Sequence, residues 1–174
     1  APPMESPTLI SQRLLVRTWR PTDVDGLHAL LRESLGHLDP WVPWAPRSEP
    51  SVEFAAQLIR RWREEVAAAL GLRWAIEVAQ EARLVGGVGV YDRLKGEGLE
   101  VGYWIGGGAT GQGYATEAVR TVVEVVQATR LAPRLEMHVD PANEASARVP
   151  ERLGFTRLEG PSDAGLVVYR RDLA

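Results

Sequence analysis

The sequence contains no cysteine among its 174 residues. Disulfide bonds, zinc sites built from thiolates and a cysteine acyl-enzyme intermediate are therefore all excluded. Long hydrophobic segments are also missing, since no run of roughly 18 apolar residues, the minimum for a membrane-spanning helix, occurs. The first residues do not show the basic region and apolar core of a secretion signal. We therefore expect a cytoplasmic protein with no membrane partner.

An excess of positive charge is absent as well, because 20 Lys and Arg residues face 23 Asp and Glu residues. Domains that bind nucleic acid usually carry a basic face, so we expect no nucleic-acid partner. The histidines His28 and His37 have no evident third ligand, which favours surface histidines over a metal site. The length fits one domain, and we expect residues 1–174 to form it, with residues 1–8 flexible.

Glycine, by contrast, is abundant, and its densest cluster lies between residues 106 and 113. The stretch from residue 100 to 118 reads EVGYWIGGGATGQGYATEA. Its β-branched and aromatic start predicts a strand, and the apolar residues after Ala115 recur at helical spacing. A glycine loop between a strand and a helix favours anion binding, because the amides of the first helical turn point at the ligand. The sequence thus predicts a phosphate-bearing ligand.

Two motifs overlap in this loop and imply different ligands. Residues 106–111 match the G-x-G-x-x-G pattern of dinucleotide-binding folds, whereas residues 110–115 match most of the Q/R-x-x-G-x-G/A loop of acyl-CoA-dependent N-acetyltransferases. A dinucleotide fold carries its motif early and an acidic residue about 20 residues later. Here the loop comes late in the chain, and the acidic candidates Glu136 and Asp140 lie further on than that. A dinucleotide-dependent oxidoreductase and a glycine turn without a ligand are the two alternatives.

Periodicity along the rest of the chain predicts a mixed α/β (α+β) fold with about seven strands and about four helices. The expected strands cover residues 13–19, 72–79, 84–92, 99–105, 134–139, 155–158 and 166–171. Four prolines between Pro40 and Pro50 exclude regular structure there. Ser51 and Asn143 are expected to cap helices.

Four segments of the chain together resemble the GNAT superfamily of N-acetyltransferases, within it the RimJ/RimL-like branch. They are RLLVR from residue 13, HLDPWVPW from residue 37, EVGYWI with its glycine loop from residue 100, and DPANEASARVPERLGF from residue 140. The resemblance covers most of the chain. It implies a mixed, mostly antiparallel sheet with a central pair of parallel strands that splay apart.

The resemblance also implies direct transfer of an acetyl group from acetyl-CoA to a primary amine, without a metal. The pantetheine arm would lie in the gap between the splayed strands, with the pyrophosphate on the loop amides. A CoA-binding module that has lost catalysis is the alternative function, and a homodimer is left open. The cofactor-binding residues expected from this are Trp104, Ile105, Thr110, Gly111, Gln112, Gly113, Tyr114, Ala115 and Asn143.

Two residues are candidates for the chemistry. Glu100 stands where some relatives have a glutamate as general base; the alternative is a solvated carboxylate at a strand end. Ser146, third after Asn143, matches the N-x-x-S motif whose serine protonates the thiolate in ribosomal-protein acetyltransferases. The alternative is an ordinary serine in a first helical turn.

Two departures from the family pattern bear on the site. Thr110 occupies the place of a Gln or Arg, which removes a cation or amide near the pyrophosphate. Pro150 replaces the residue that is a tyrosine acid in many members of the superfamily. Because proline has no N–H, we also expect the carbonyl of Ser146, four residues earlier, to be left free.

The acceptor side is expected to be built from Trp41, Trp44 and Trp62 together with the first two helices. For the loop tryptophans Trp41 and Trp44, simple packing beneath the loop is the alternative. A peptide N-terminal α-amine is the expected acceptor, because its pKa near 8 makes it easier to deprotonate than a lysine with a pKa near 10.4. A small-molecule amine is the alternative.

Overall fold

The computed structural model describes residues 5–160 and 162–173, and within them eight strands form one sheet and four α-helices pack on it. The fold class predicted from the sequence is confirmed. The additional strand is β1, whose two residues are too few to show alternation in the sequence. The strands are β1 (Leu9–Ile10), β2 (Leu14–Arg17), β3 (Gly71–Val78), β4 (Arg83–Tyr91), β5 (Leu99–Ile105), β6 (Arg134–Val139), β7 (Thr156–Arg157) and β8 (Val167–Asp172). The helices are α1 (Val24–Glu33), α2 (Val52–Ala67), α3 (Tyr114–Thr129) and α4 (Glu144–Arg152).

The strands follow one another in the order β1-β2-β3-β4-β5-β6-β8-β7, and only the β5–β6 pair is parallel among those described. This parallel pair is short. Leu99 pairs with Leu135 and Glu100 with Glu136, and the pairing then stops although both strands continue. The predicted splay of the central strands is therefore present, and it opens a gap in the middle of the sheet.

The two faces of the sheet carry different helices. On one face α3 and α4 pack against the main core, to which β5 contributes Val101 and Tyr103. On the other face α1 and α2 enclose a second cluster that contains Trp104 of the same strand. Because neighbouring residues of a strand point to opposite faces, β5 supplies side chains to both.

The N-terminal segment is attached to the sheet in its described part. Ser6 is buried, its hydroxyl donates to the carbonyl of Arg73 at 2.7 Å, and it accepts from the amide of Arg73 at 3.0 Å. Flexibility is expected for residues 1–8, of which residues 1–4 lie outside the described residues. Among the helices of residues 5–160 and 162–173, none combines the length and hydrophobicity needed to cross a bilayer.

Candidate active site

Two cavities adjoin at the gap between β5 and β6. One, which we call the loop cavity, has a volume of about 310 Å³ and is lined by the glycine loop, the start of α3 and α4. The other, the tryptophan cavity, has a volume of about 560 Å³ and lies between the gap, α2 and the proline-rich segment. Both are lined by Trp41, Val42, Tyr103, Trp104, Asn143 and Ser146. The sequence-predicted residues Asn143 and Ser146 therefore stand where the two cavities meet.

The glycine loop leads β5 into α3 with two residues in the left-handed region. Gly111 has φ +74° and Gly113 has φ +79°, a conformation that L side chains adopt at a cost. The first backbone bond of α3 runs from Glu117 to Gly113. The amides of Tyr114 and Ala115 precede it and so have no acceptor within the helix. Both residues line the loop cavity, where these amides can hold an anion.

A cation that the sequence analysis missed stands beside this loop. Arg13 donates through Nη1 to the carbonyl of Gln112 at 2.9 Å and lies 4.6 Å from the centre of the Tyr114 ring. It also forms an ion pair of 2.7 Å with Glu117. Burial alone would raise the pKa of Glu117, but hydrogen bonds from Ser11 and Arg13 outweigh it and hold the pKa below its usual value.

The other predicted loop residues separate into two groups. The loop cavity is lined by Trp104, Ile105, Thr110, Gly111, Gly113, Tyr114 and Ala115. Their contact with the cofactor stays a prediction. Gln112 does not appear in the lining, and its carbonyl is used by Arg13. The Thr110 hydroxyl donates within the loop to the carbonyl of Gly107 at 3.2 Å. Arg13 is paired with Glu117 and does not line this cavity, whereas Arg148 and Arg152 of α4 do.

The junction of the cavities is organised by α4. Asn143 caps this helix, as predicted, by accepting from the amide of Ser146 at 3.2 Å. The expectation that Pro150 leaves the Ser146 carbonyl free is wrong, because the Tyr103 hydroxyl donates to it at 2.8 Å. The same hydroxyl lies 2.6 Å from Ser146 Oγ. Burial raises the pKa of Tyr103 to about 12, although its bond with Ser146 acts in the opposite direction.

Glu100 lines the tryptophan cavity with a side chain that is 16% exposed. Its Oε1 lies 3.5 Å from Arg93 Nη1, and in the sheet it is paired with Glu136. A carboxylate that lines the same cavity as Ser146 can accept a proton from a bound amine through water.

Glu136 and His138 form a second polar group that the sequence analysis did not assign to the site. His138 Nε2 lies 3.0 Å from Glu136 Oε1, and Arg170 Nη2 lies 2.7 Å from Glu136 Oε2. Burial acts to raise the pKa of Glu136, but hydrogen bonds from His138 and Arg170 leave it lowered. His138 also lines the tryptophan cavity. In the sequence, the alternation of residues in β6 indicates only a strand and gives no sign of this polar group.

Four tryptophans form a closed ring of contacts beside the tryptophan cavity. Trp44 packs edge-on against Trp62 at 5.1 Å and against Trp104 at 5.2 Å. Trp19 packs against the same two indoles, with centroid distances of 4.8 Å to Trp62 and 6.4 Å to Trp104. Trp41 lies outside this ring, is 41% exposed and lines both cavities. The three tryptophans predicted for the acceptor side, Trp41, Trp44 and Trp62, all line the tryptophan cavity. The sequence analysis missed Trp19, because its surroundings in the sequence indicated only a strand.

Metal ligands are not gathered anywhere in the described part of the chain, where no three His, Asp or Glu side chains are placed to share an ion. His28 Nε2 lies 3.0 Å from the carbonyl of Pro50, and His37 lines the loop cavity.

Comparison with known proteins identifies the family to which the chain belongs. The family model described as an acetyltransferase (GNAT) domain matches residues 13–156. The chain belongs to the GNAT acetyltransferase family. A Bacillus subtilis (strain 168) protein, provisionally named ribosomal N-acetyltransferase YdaF, is 26% identical over 161 residues, which are 91% of this chain and 86% of the relative.

Solved structures share the fold of this acetyltransferase. A Vibrio cholerae protein, provisionally named a ribosomal-protein-serine acetyltransferase, has a TM-score of 0.82 at 24% identity and covers 97% of this chain and 99% of its own. The microcin C7 self-immunity acetyltransferase MccE, solved with acetyl-CoA and AMP, has a TM-score of 0.80 at 16% identity and covers 93% of both chains.

The dinucleotide alternative is wrong for this acetyltransferase. Its family places the glycine loop in the GNAT fold, and the sheet around the loop is mostly antiparallel, unlike the parallel sheet of a dinucleotide fold. Glu136, an acidic candidate for that alternative, is engaged by His138 and Arg170.

We expect Gly87→Ala to disrupt the tryptophan ring of this acetyltransferase. A Cβ at Gly87 would lie 2.7 Å from Trp104 Nε1 and 3.3 Å from Trp19 Cζ2, so both indoles must move. Overpacking of this kind costs about 1–3 kcal/mol. Near-ultraviolet circular dichroism should show a weaker tryptophan signal, and thermal unfolding should show lower stability.

Gly26→Ala in α1 is the matched control. Its Cβ would lie 3.8 Å from the nearest atom, Leu84 Cδ2, and alanine is favoured over glycine within a helix by about 0.5–1 kcal/mol. This control should keep the signal and gain stability. An unchanged spectrum for Gly87→Ala would show that the ring is not tightly packed.

Proposed function

We propose that this acetyltransferase moves an acetyl group from acetyl-CoA directly to a primary amine, and that a peptide N-terminal α-amine is its preferred acceptor. The observation that carries the proposal is the meeting of two cavities at the gap between β5 and β6, with Ser146 and Tyr103 lining both. One cavity suits the cofactor and the other the acceptor, so the acyl carbon and the amine meet at their junction.

The loop cavity is assigned to acetyl-CoA. The amides at the start of α3 and the positive end of its dipole suit a pyrophosphate, and Arg148 and Arg152 add cations to the cavity lining. Backbone amides near Trp104 and Ile105 lie where β6 has left β5, and they can bind the thioester carbonyl as the pantetheine arm fills the gap. The complex of MccE with acetyl-CoA supports this assignment.

The reaction needs a neutral amine, a polarised carbonyl and a donor for the leaving thiolate. We assign proton removal from the amine to Glu100 acting through water. As the C–N bond forms and the C–S bond breaks, the hydroxyl of Ser146 donates its proton to the departing sulfur and takes up the proton that the nitrogen loses as it becomes an amide, so the serine ends neutral. The sequence has no cysteine and no G-x-S-x-G elbow to carry the acetyl group, which supports direct transfer.

The acceptor assignment rests on the tryptophan cavity and on the free energy of deprotonation. At pH 7, keeping an α-amine neutral costs about 1.4 kcal/mol, and keeping a lysine neutral costs about 4.6 kcal/mol. Glu100 acting through water is a modest base, which favours the α-amine. The aromatic lining of the cavity suits the first side chains of a peptide. The ribosomal-protein substrates in the names of YdaF and the Vibrio cholerae protein agree with a peptide acceptor.

The anion site can be tested at Gly113, the N-cap of α3. Gly113→Glu places a carboxylate beside the amides assigned to the pyrophosphate, so it competes for them and repels the ligand. We expect the dissociation constant for CoA, measured by calorimetry, to rise by about 100-fold or more, equivalent to about 2.7 kcal/mol.

The control for this variant is Gly160→Glu. Gly160 has φ +75°, close to the +79° of Gly113, so the backbone strain and the added charge are matched. It does not line the loop cavity, and CoA affinity should stay within about twofold. Retained affinity in Gly113→Glu would refute the anion site.

Acceptor preference can be read from one peptide that carries both a free N-terminus and a lysine. With acetyl-CoA, we expect acetylation at the α-amine to exceed acetylation of the lysine by at least about tenfold at pH 7, given the lower cost of deprotonation. Mass spectrometry after fragmentation locates the acetyl group. Exclusive lysine modification would contradict the acceptor assignment. If CoA binds clearly but no amine in a panel is acetylated, the result would favour a CoA-binding module without catalysis.

The role of Glu100 predicts a specific pH dependence. Above about pH 8 an α-amine is neutral without help, so a base is needed mainly below that pH. Glu100→Gln should therefore reduce turnover by about 10²-fold or more at pH 7, in the range of general-base catalysis, and by much less at pH 9.5. Equal losses at the two pH values would mean that Glu100 positions groups and does not take the proton.

A further inference from the structure

Helix α4 has a gap in its hydrogen bonding beside the proposed reaction centre. Residue 150 of a regular helix would donate its N–H to the carbonyl of Ser146, four residues earlier, but Pro150 has none. Ser146 itself is half-buried, at the junction of the two cavities. A partly buried carbonyl that lacks a partner destabilises the fold.

The donor comes instead from a different element. Tyr103 projects from β5, beyond the point where β5 and β6 stop pairing, and its hydroxyl reaches the Ser146 carbonyl at 2.8 Å. The same phenol oxygen lies 2.6 Å from Ser146 Oγ. A phenol has one proton. When that proton goes to the carbonyl, the phenol oxygen accepts the proton of the Ser146 hydroxyl, so both groups of Ser146 are held by one side chain.

We propose that Tyr103 is the positioning residue for Ser146, and that Pro150 makes this possible by leaving the Ser146 carbonyl open to the phenol. Pro150 removes one backbone hydrogen bond within α4, and the Tyr103 hydroxyl of β5 replaces it across the gap. The Ser146 hydroxyl is thereby fixed at the junction of the two cavities. The inference rests on the proposed function for the role of that hydroxyl, whereas the coupling of Tyr103 to Pro150 stands on the geometry alone.

Tyr103 acts through Ser146 and not as the proton donor itself. Its one proton is given to the Ser146 carbonyl at 2.8 Å, so it is not directed at the sulfur. Tyr103 stays protonated through the reaction and holds Ser146 Oγ at the junction of the cavities. The serine proton leaves the phenol oxygen when it passes to the sulfur.

The kinetic test combines Tyr103→Phe with Ser146→Ala. In the otherwise unchanged enzyme, Tyr103→Phe should lower kcat by about tenfold and leave KM for acetyl-CoA within about twofold, because orientation and not binding is lost. In the Ser146→Ala background, the same change should have no further effect on kcat. A tenfold loss in both backgrounds, or no loss in either, would overturn the positioning role.

The stability test combines Tyr103→Phe with Pro150→Ala. Alone, Tyr103→Phe leaves the Ser146 carbonyl without its donor and should lower Tm by about 3–6 °C. With alanine at position 150, the helix can supply its own N–H, and the decrease should shrink to less than half. Equal decreases in the two backgrounds would overturn the proposed coupling.

Tyr169→Phe is the matched control for this cycle. Tyr169 on β8 donates to Glu151 of the same helix at 3.3 Å, but it makes no contact with the carbonyl that Pro150 exposes. Its effect on Tm should be the same with proline or alanine at position 150. Turnover of a peptide by the unaltered enzyme is measured first. If there is none, the proposed function fails, and the stability cycle alone decides the inference.

Discussion

The early parting of two parallel strands is the constraint on which the site depends. β5 and β6 pair through only two residues each and then diverge, although they occupy the middle of the sheet. Backbone groups that a sheet would normally satisfy are thereby presented to a gap. A ligand with an extended polar backbone, such as a pantetheine arm, can satisfy them. The flanking antiparallel strands β4 and β8 keep β5 and β6 in place while the gap stays open.

The elements on both sides of the gap contribute different chemistry. The glycine loop and α3 offer free amides, α4 offers Ser146, and the opposite face offers Glu100 and the tryptophan ring. Tyr103 joins β5 to α4 where no backbone bond can do so. The gap assigned to the cofactor is thus bridged by the Tyr103 side chain, next to the atoms assigned to the chemistry.

Sequence reasoning succeeded where the signal is local. The strand, glycine loop and helix from residue 100 follow from alternation and helical spacing, and the Asn143 cap from its position before a short helix. The two-residue strand β1 gave no such signal. Contacts between distant parts of the chain were also missed. Arg13 reaches a loop carbonyl 99 residues away, and Tyr103 reaches Ser146 across 43 residues. Nothing in the neighbourhood of either residue in the sequence indicates its partner.

The central claim is that the acetyl group passes directly from cofactor to amine where the two cavities meet. Initial rates measured while acetyl-CoA and a peptide are both varied test it most directly, because direct transfer requires both substrates on the enzyme at once. The account predicts double-reciprocal lines that intersect and no acetylated protein when acetyl-CoA is added alone. Parallel lines, the pattern of a covalent acyl-enzyme, together with an acetylated side chain seen by mass spectrometry, would contradict it.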